Sequence, residues 1–292
     1  MRGMADVLLV TCADLPAGEQ DGHLLVQDLA GRGLVARWVA WDDAAVDWAA
    51  ARLVAARSTW DYEVRREEFL SWARELPAPL LNGVDVFAWN TDKAYLAALA
   101  EHVPVVPTLV VEEQGELGPA ITAFERAVVK PRVGAGGRGV VLFDGEPDGP
   151  NGLDESRLPS GPWVVQPLVG SVRTEGETSV FVLGGEAVAQ ARKLPAAGEI
   201  RVHESYGGRT DAVLLTDEAR LLALRAVEAA QRRFGAVLSY ARVDMMRLAD
   251  GTLAVSELEA TEPGLYLEIL PGNAEAFGRM VERTLGQLGG PA

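Results

Sequence analysis

Val128-Val129-Lys130-Pro131-Arg132-Val133-Gly134-Ala135-Gly136-Gly137-Arg138-Gly139-Val140-Val141 places a lysine at the end of a short apolar run and a glycine-rich loop directly after it. Glycines let backbone N–H groups approach anionic oxygens, and the lysine adds a point charge where a polyphosphate would lie. Gly134, Gly136 and Gly139 satisfy G-x-G-x-x-G, but that dinucleotide fingerprint requires a helix after the loop. Here Val140-Val141-Leu142-Phe143, followed by Asp144-Gly145, predicts a second strand ending in a turn. No Gly-Lys-Ser/Thr closes the run, which excludes a Walker loop. Two readings of the segment remain: a strand-loop-strand flap over a nucleotide, and an ordinary glycine-rich hairpin.

The 292 residues around this stretch suffice for two or three compact units. Acidic residues outnumber basic ones by 42 to 27, giving a net charge of −15. With no basic run, a nucleic-acid partner or an anionic membrane surface is not expected, and small molecules are. The single cysteine, Cys12, cannot form an internal disulfide. No long apolar segment or secretory signal precedes the first strand, so a reducing cytoplasm is the expected compartment.

Towards the amino terminus the pattern alternates as βαβ units do. Val7 to Thr11 and Val35 to Trp41 read as strands around a helix from Gly22 to Ala30. A third strand, Leu53 to Ala56, delivers Arg57-Ser58-Thr59-Trp60-Asp61-Tyr62 at its carboxyl end, where parallel sheets place ligands. The same tract also reads as a loop with a paired arginine and core aromatics. A helix from Glu63 to Glu75 is broken by Pro77-Ala78-Pro79, after which Leu80-Leu81-Asn82 resumes the sheet edge. Asn90-Thr91-Asp92 reads as the cap of a further helix with Lys93 in its first turn. Pro104 and Pro107 bracket a short strand leading into the unit that carries the flap. That unit ends near Trp163 to Val169, where Gln166-Pro167-Leu168 forms a hinge candidate; the span from Gly145 to Gly161 reads as an exposed excursion.

Further on, Thr178 to Leu183 and Ala187 to Arg192 form a strand pair, Asp217 to Phe234 a helix with one apolar stripe, and Ala241 to Leu248 with Leu253 to Leu258 a second strand pair. Strand alternation puts Arg242, Asp244 and Met246 on one face, and Glu257 and Glu259 on one face of the next strand. Hard oxygen donors without histidine or cysteine suit Mg2+ held by carboxylates together with phosphate oxygens. Each acid, taken singly, also fits a solvated face.

In this order, Lys93, Lys130 with its glycine flap, Gln166-Pro167-Leu168, Arg242-x-Asp244 and Glu257-x-Glu259 resemble the ATP-grasp superfamily. Arg242-Val243-Asp244-Met245-Met246 with Glu257-Leu258-Glu259-Ala260-Thr261-Glu262-Pro263-Gly264 resembles the metal segment of D-alanine:D-alanine ligases and glutathione synthetases. Arg192-Lys193-Leu194-Pro195 through Gly207-Gly208-Arg209 is similar to the substrate loop of bacterial glutathione synthetases. The tract Arg57 to Tyr62, with Trp89 to Lys93, resembles actinobacterial ATP-grasp proteins that include a D-cycloserine synthetase, which closes a ring within O-ureido-D-serine. One departure stands out: Glu259 occupies the position where the family usually carries asparagine.

The resemblance implies an α/β ATP-grasp fold in three parts. Residues 1–95 would be an amino-terminal parallel βα substrate lobe, 96–168 a small central lid, and 169–292 a carboxyl-terminal antiparallel-sheet catalytic unit. It implies an ATP-dependent carbon–nitrogen ligase that activates a carboxylate as an acyl phosphate for attack by a nitrogen nucleophile, releasing ADP and phosphate. Joining of two molecules and cyclisation of one both remain open. ATP and two Mg2+ ions, with Mn2+ able to substitute, would be the cofactors, and a dimer or tetramer the assembly.

The roles that follow are implied in the same way. Lys93, Lys130 and Arg242 would neutralise charge as anions are brought together. Gly134, Gly136 and Gly137 would cover the phosphates, Gln166 and Leu168 read adenine, and Glu175 or Glu177 the ribose. Asp244, Glu257 and Glu259 would hold metal. Arg57, Ser58, Thr59, Asp61, Tyr62, Arg201, His203, Gly207 and Gly208 are the substrate candidates, and His203, a possible base, also reads as a surface residue beside Glu204. The order argues against a protein kinase, whose glycine loop would precede the lysine, and neither His-Arg-Asp nor Asp-Phe-Gly occurs. A nucleotide-binding regulator without turnover is the alternative from another class.

Overall fold

The computed structural model describes residues 5–144 and 158–289, so most of the span expected to be an exposed excursion, residues 145–157, lies outside the described residues. Three sheets organise the described residues. The first is parallel: β1 (Ala5–Thr11), followed by α1 (His23–Gly31), β2 (Ala36–Ala40) and β3 (Ala51–Ser58), in the order β2-β1-β3. Val7 to Val10 is buried without alternation, as expected of a central strand covered on both faces.

Two helices follow, α2 (Arg66–Glu75) and α3 (Gly83–Asn90). The expected sheet edge at Leu80-Leu81-Asn82 amounts to a single bridge between Val54 and Leu80. The predicted helix cap at Asn90-Thr91-Asp92 also differs, because Asn90 ends α3 and Lys93 lies in the link before the short α4 (Tyr95–Leu99). The side chain that suggested a cap is used elsewhere. Asn90 is buried, its Oδ1 accepts the N–H groups of Ala260 and Thr261, and its Nδ2 donates to the Leu258 carbonyl. The Tyr95 hydroxyl accepts from the Leu258 N–H at 2.7 Å and donates to the Leu258 carbonyl at 2.9 Å.

The second sheet is antiparallel, in the order β4-β7-β5-β6, from β4 (Leu109–Val111), β5 (Arg126–Pro131), β6 (Val141–Asp144) and β7 (Trp163–Pro167), with α5 (Leu117–Thr122) between the first two. The strand expected between Pro104 and Pro107 is one bridge from Val105 to Val255, and β4 starts after Pro107. The strand expected from Val140 is observed as β6, so the glycine loop joins two paired antiparallel strands rather than opening a helix.

The third sheet runs β10-β9-β8-β11-β12, built from β8 (Glu177–Leu183), β9 (Glu186–Leu194), β10 (Arg209–Val213), β11 (Tyr240–Arg247) and β12 (Leu253–Glu259). All its pairings are antiparallel. Between β10 and β11 lies α6 (Asp217–Phe234), whose first turn is capped by Thr216 Oγ1 accepting from the Ala219 N–H, and which ends on a left-handed Gly235. The last described element is α7 (Gly272–Leu288), a helix the sequence reading did not identify.

Period-two alternation on β8 divides the core. Val180 and Val182 face α6 together with Tyr95, Leu96 and Leu99 of α4. Phe181 and Leu183 pack on the opposite side with Phe277 of α7, Tyr240, and Val7 and Leu53 of the first sheet. The third sheet is thereby held against the first, and both present strand ends to one cleft. Among the described residues no helix is long and apolar enough to cross a membrane.

Candidate active site

The cleft between the second and third sheets has a volume of about 540 Å³ and is closed on one side by the loop after β3. Its floor follows from strand register. Arg242 pairs with Glu259 and Asp244 with Glu257 across β11 and β12, so two acids of one strand and one of the other reach the same face. Carboxylate oxygens of Asp244, Glu257 and Glu259 lie within 4.8 Å of one another. Such a set of oxygen donors fits a hard divalent cation.

Cations surround these acids. Arg242 donates from Nε and Nη2 to Asp244 at 3.0 and 2.9 Å, contacts Glu259 through Nη2, and lies over the Tyr266 ring. Lys93 Nζ stands 3.2 Å from Glu257 and donates to the Gly134 carbonyl at 2.6 Å, tying the acidic floor to the glycine loop. Burial opposes ionisation of Asp244, yet Arg242 and Lys193 hold its carboxyl well below the usual range. Burial also opposes ionisation of Glu257, and here Lys93 and Lys130 prevail and lower its pKa. Glu259 goes the other way: burial, only partly offset by Arg242, and the neighbouring Asp244 and Glu257 push it up to about 7. Burial and Glu259 raise Glu262 to about 8. Crowding of this kind is relieved by added positive charge.

The cleft also holds Lys130, whose pKa burial lowers against the pull of Glu257 and Glu177. Gly134, Gly136 and Gly137 line the same space, the last two at φ of +59° and +71°, in the left-handed region that glycine adopts readily. Gln166 and Leu168 line the cleft as well. The Leu168 N–H donates to the Arg126 carbonyl, which leaves its carbonyl and side chain for any contact in the cleft. Gln166 Nε2 donates to Thr108 Oγ1 at 2.9 Å.

The two ribose candidates separate. Glu177 lies in the cleft, accepting from Lys193 Nζ at 2.5 Å and from Ser256 Oγ at 3.1 Å, whereas Glu175 is turned away and paired with Arg247. Arg201 and His203 line the cleft from the loop between β9 and β10. Arg201 is stacked over Tyr206 and paired with Glu199, and burial lowers the pKa of His203, whose Nδ1 is 2.7 Å from Ser205 Oγ. Gly207 and Gly208 shape that loop instead of facing the cleft; a Cβ on Gly208 would meet the Val202 carbonyl oxygen at 2.0 Å.

For the tract after β3 the structure matches the second of the two readings given above, a paired arginine with buried neighbours. Strand β3 continues to Ser58, which buries Arg57, Ser58 and Thr59 completely. Arg57 donates to Glu19 at 3.1 Å and to the Pro263 carbonyl, between the rings of Tyr240 and Phe277. Ser58 Oγ donates to Thr11 Oγ1, and Asp61 accepts from Trp41 Nε1. Of the tract, Trp60 and Tyr62 reach the cleft lining.

Four residues that the sequence reading gave no role of their own line the cleft: Glu19, which it did not name, and Trp60, Lys193 and Glu262, which it named only within longer tracts. Lys193 is the most central, buried 2.5 Å from Glu177 and 3.1 Å from Asp244, with its pKa raised because these two acids overcome burial. Its cross-strand partner in the register is Glu177, a pairing that only the β8-β9 hairpin geometry reveals.

A family model described as the ATP-grasp domain of prokaryotic glutathione synthetase matches residues 92–246, and one described as the N-terminal domain of D-cycloserine synthetase DcsG matches residues 7–82. The cycloserine biosynthesis protein DcsG of Streptomyces lavendulae is 31% identical over 97% of this chain and 99% of that protein. The chain belongs to the ATP-grasp family. Among solved structures, an ATP-grasp relative described as D-cycloserine synthetase DcsG superposes with a TM-score of 0.85 at 29% identity, covering 96% of this chain and 99% of that one. The D-alanine–D-alanine ligase of Bacillus anthracis, at 14% identity and a TM-score of 0.67 over 97% of this chain and 98% of that one, shares the fold. The chain is therefore an ATP-grasp ligase, of a family that uses ATP and Mg2+.

Proposed function

We propose that this ATP-grasp ligase activates a carboxylate with ATP and closes a ring within a single amino-acid derivative of the O-ureidoserine class. The observation that carries the reading is that similarity to DcsG extends through the amino-terminal lobe, whose Glu19, Trp60 and Tyr62 complete the cleft opposite Arg242. That lobe is where a substrate-specific contribution belongs. We take residues 1–95 as the substrate lobe, 96–168 as the lid and 169–292 as the catalytic unit.

In the first step an oxygen of the substrate carboxylate attacks the γ-phosphorus of ATP, the bond to the ADP oxygen breaks, and an acyl phosphate forms. Lys93, Lys130 and Arg242 hold the approaching anions together. Asp244, Glu257 and Glu259 would bind two Mg2+ ions, with Mn2+ able to replace them, and the metal supplies charge neutralisation on the phosphates. In the second step a nitrogen attacks the acyl carbon, phosphate leaves, and the nitrogen gives up a proton. Arg201 and His203 border the substrate end, where His203, kept neutral by burial, is positioned to accept that proton.

The test is incubation of the purified chain with ATP, Mg2+ and O-ureidoserine of either configuration. ADP, phosphate and a product lighter by one water, formed without a second amine, are expected. AMP and pyrophosphate would overturn the acyl-phosphate route. A product that forms only with an added amine would favour an intermolecular ligase, the reading supported by the match of residues 92–246 to glutathione synthetase.

A further inference from the structure

The glycine loop is held by the amino-terminal lobe at a point that neither the phosphate chemistry nor the metal site explains. Glu63 follows the Trp60-Asp61-Tyr62 tract directly, and its side chain is 11% exposed. Its Oε2 accepts the Ala135 N–H at 2.7 Å, while its Oε1 is paired with Arg138 Nε. Arg138 Nη2 also donates to the Trp60 carbonyl at 3.2 Å. Thus one carboxylate grips both a backbone N–H and a side chain of the loop, and the loop returns a bond to the tract.

The tract itself is firmly seated. Tyr62 is buried and stacked on Phe69 with ring centroids 5.3 Å apart, and the Trp60 Nε1 donates to the Glu262 carbonyl at 3.2 Å. The opposite side of the loop abuts the segment between β9 and β10: a Cβ on Gly136 would lie 3.7 Å from His203 Nε2, and one on Gly137 3.3 Å from the Tyr206 ring. The loop is therefore wedged between the two segments that border the substrate end of the cleft, and Glu63 makes the charged contacts on one side.

We propose that Glu63 is a positioning residue that latches residues 134–138 onto the firmly seated Trp60–Tyr62 tract, and so holds the loop over the cleft. The inference rests on the ligase reading for its consequence. An acyl phosphate exposed to water is attacked at its acyl carbon by the water oxygen; the bond to phosphate breaks, carboxylate and phosphate are recovered, and ATP has been consumed without product. A latch seated on the substrate tract guards against that loss.

Two measurements test the latch separately from the reaction. In Glu63→Ala, amide hydrogen exchange of the segment containing Ala135 is expected to accelerate about tenfold, the loss corresponding to one charge-assisted hydrogen bond. Arg138→Gln, at a side chain 54% exposed, should give a smaller acceleration because the Glu63–Ala135 bond remains. Exchange unchanged in both variants would overturn the proposal whether or not the chain is a ligase. In turnover, the ratio of product to ADP should fall severalfold in Glu63→Ala while ADP release continues. A general folding defect would lower both together, and a product:ADP ratio equal to that of the parent would remove the water-excluding role. Failure of the parent itself to form product would count against the proposed function and leave the exchange result to decide the latch.

Discussion

Replacing Lys193 with methionine removes the central cation of the Glu177–Lys193–Asp244 triad while retaining most of its volume. At separations of 2.5 and 3.1 Å, the two attractions amount to roughly 7 and 5 kcal/mol at an effective dielectric of about 20. Desolvation of three ions cancels much of this, and breaking a buried pair by deleting one partner typically costs about 3–5 kcal/mol. Arg242 remains on Asp244 and Ser256 on Glu177, so the expected loss for K193M is near the lower bound, about 3 kcal/mol. Urea unfolding followed by circular dichroism measures it, with equal slopes required for parent and variant. A second arm uses the double variant with Glu177→Gln, which removes the stranded charge and should recover part of the loss. A destabilisation below about 1 kcal/mol, the level of an exposed ion pair, would refute the reasoning.

Asp244→Asn and Glu257→Gln should keep the fold but reduce turnover by more than the roughly 10–100-fold that follows loss of an outer-shell metal partner, with loss of the thermal shift produced by Mg2+; undiminished turnover would dismiss the metal site. Tyr95→Phe deletes a hydroxyl that both donates to and accepts from Leu258, and urea unfolding should show a loss of about 1–3 kcal/mol. In Gly208→Ala the new Cβ would meet the Val202 carbonyl, so the loop must shift; the substrate KM should rise more than the ATP KM, and an equal rise in both would argue against a substrate role for this loop. The hydrogen bond from Arg201 lowers Glu199 to about 2, so its stabilising contribution is present above the unfolded carboxyl pKa of about 4.3 and is lost as pH falls towards 2. The melting-temperature gap between the parent and Glu199→Gln should stay constant from pH 8 to about 5 and narrow below that, whereas a gap independent of acid would show that no such shift exists.

The sequence was most informative where the chemistry is local. Lys130 and its glycines lie in one short run, and the Arg242, Asp244, Glu257 and Glu259 pattern needs only strand alternation, so both were legible. Lys193 was not, because its partners come from β8 and β11, and a hairpin register decides which side chains meet. Arg57 was read two ways, as a ligand contact and as a paired arginine among core aromatics, and the fold shows the second. A position at a strand end suggested a ligand-facing loop, but β3 runs two residues further and delivers the guanidinium between two aromatic rings. Asn90 looked like a cap because caps and strand-bridging side chains have the same composition; only the fold reveals which backbone the amide serves. The α7 helix passed unrecognised although Phe277, Met280 and Val281 form one buried stripe at helical spacing.

The contacts of Asn90 and Tyr95 with Leu258 and Ala260 have a consequence beyond local stability. Strand β12 is an outer strand of the largest sheet, and such a strand normally offers unpaired N–H and C=O groups to any passing chain. Here the amide of Asn90, the hydroxyl of Tyr95, and the backbone of Pro104 and Val106, which bonds Val255, occupy that border. A strand carrying two of the three clustered acids is thus shielded from strand addition by another molecule, which keeps Glu257 and Glu259 in register with Asp244 and Arg242.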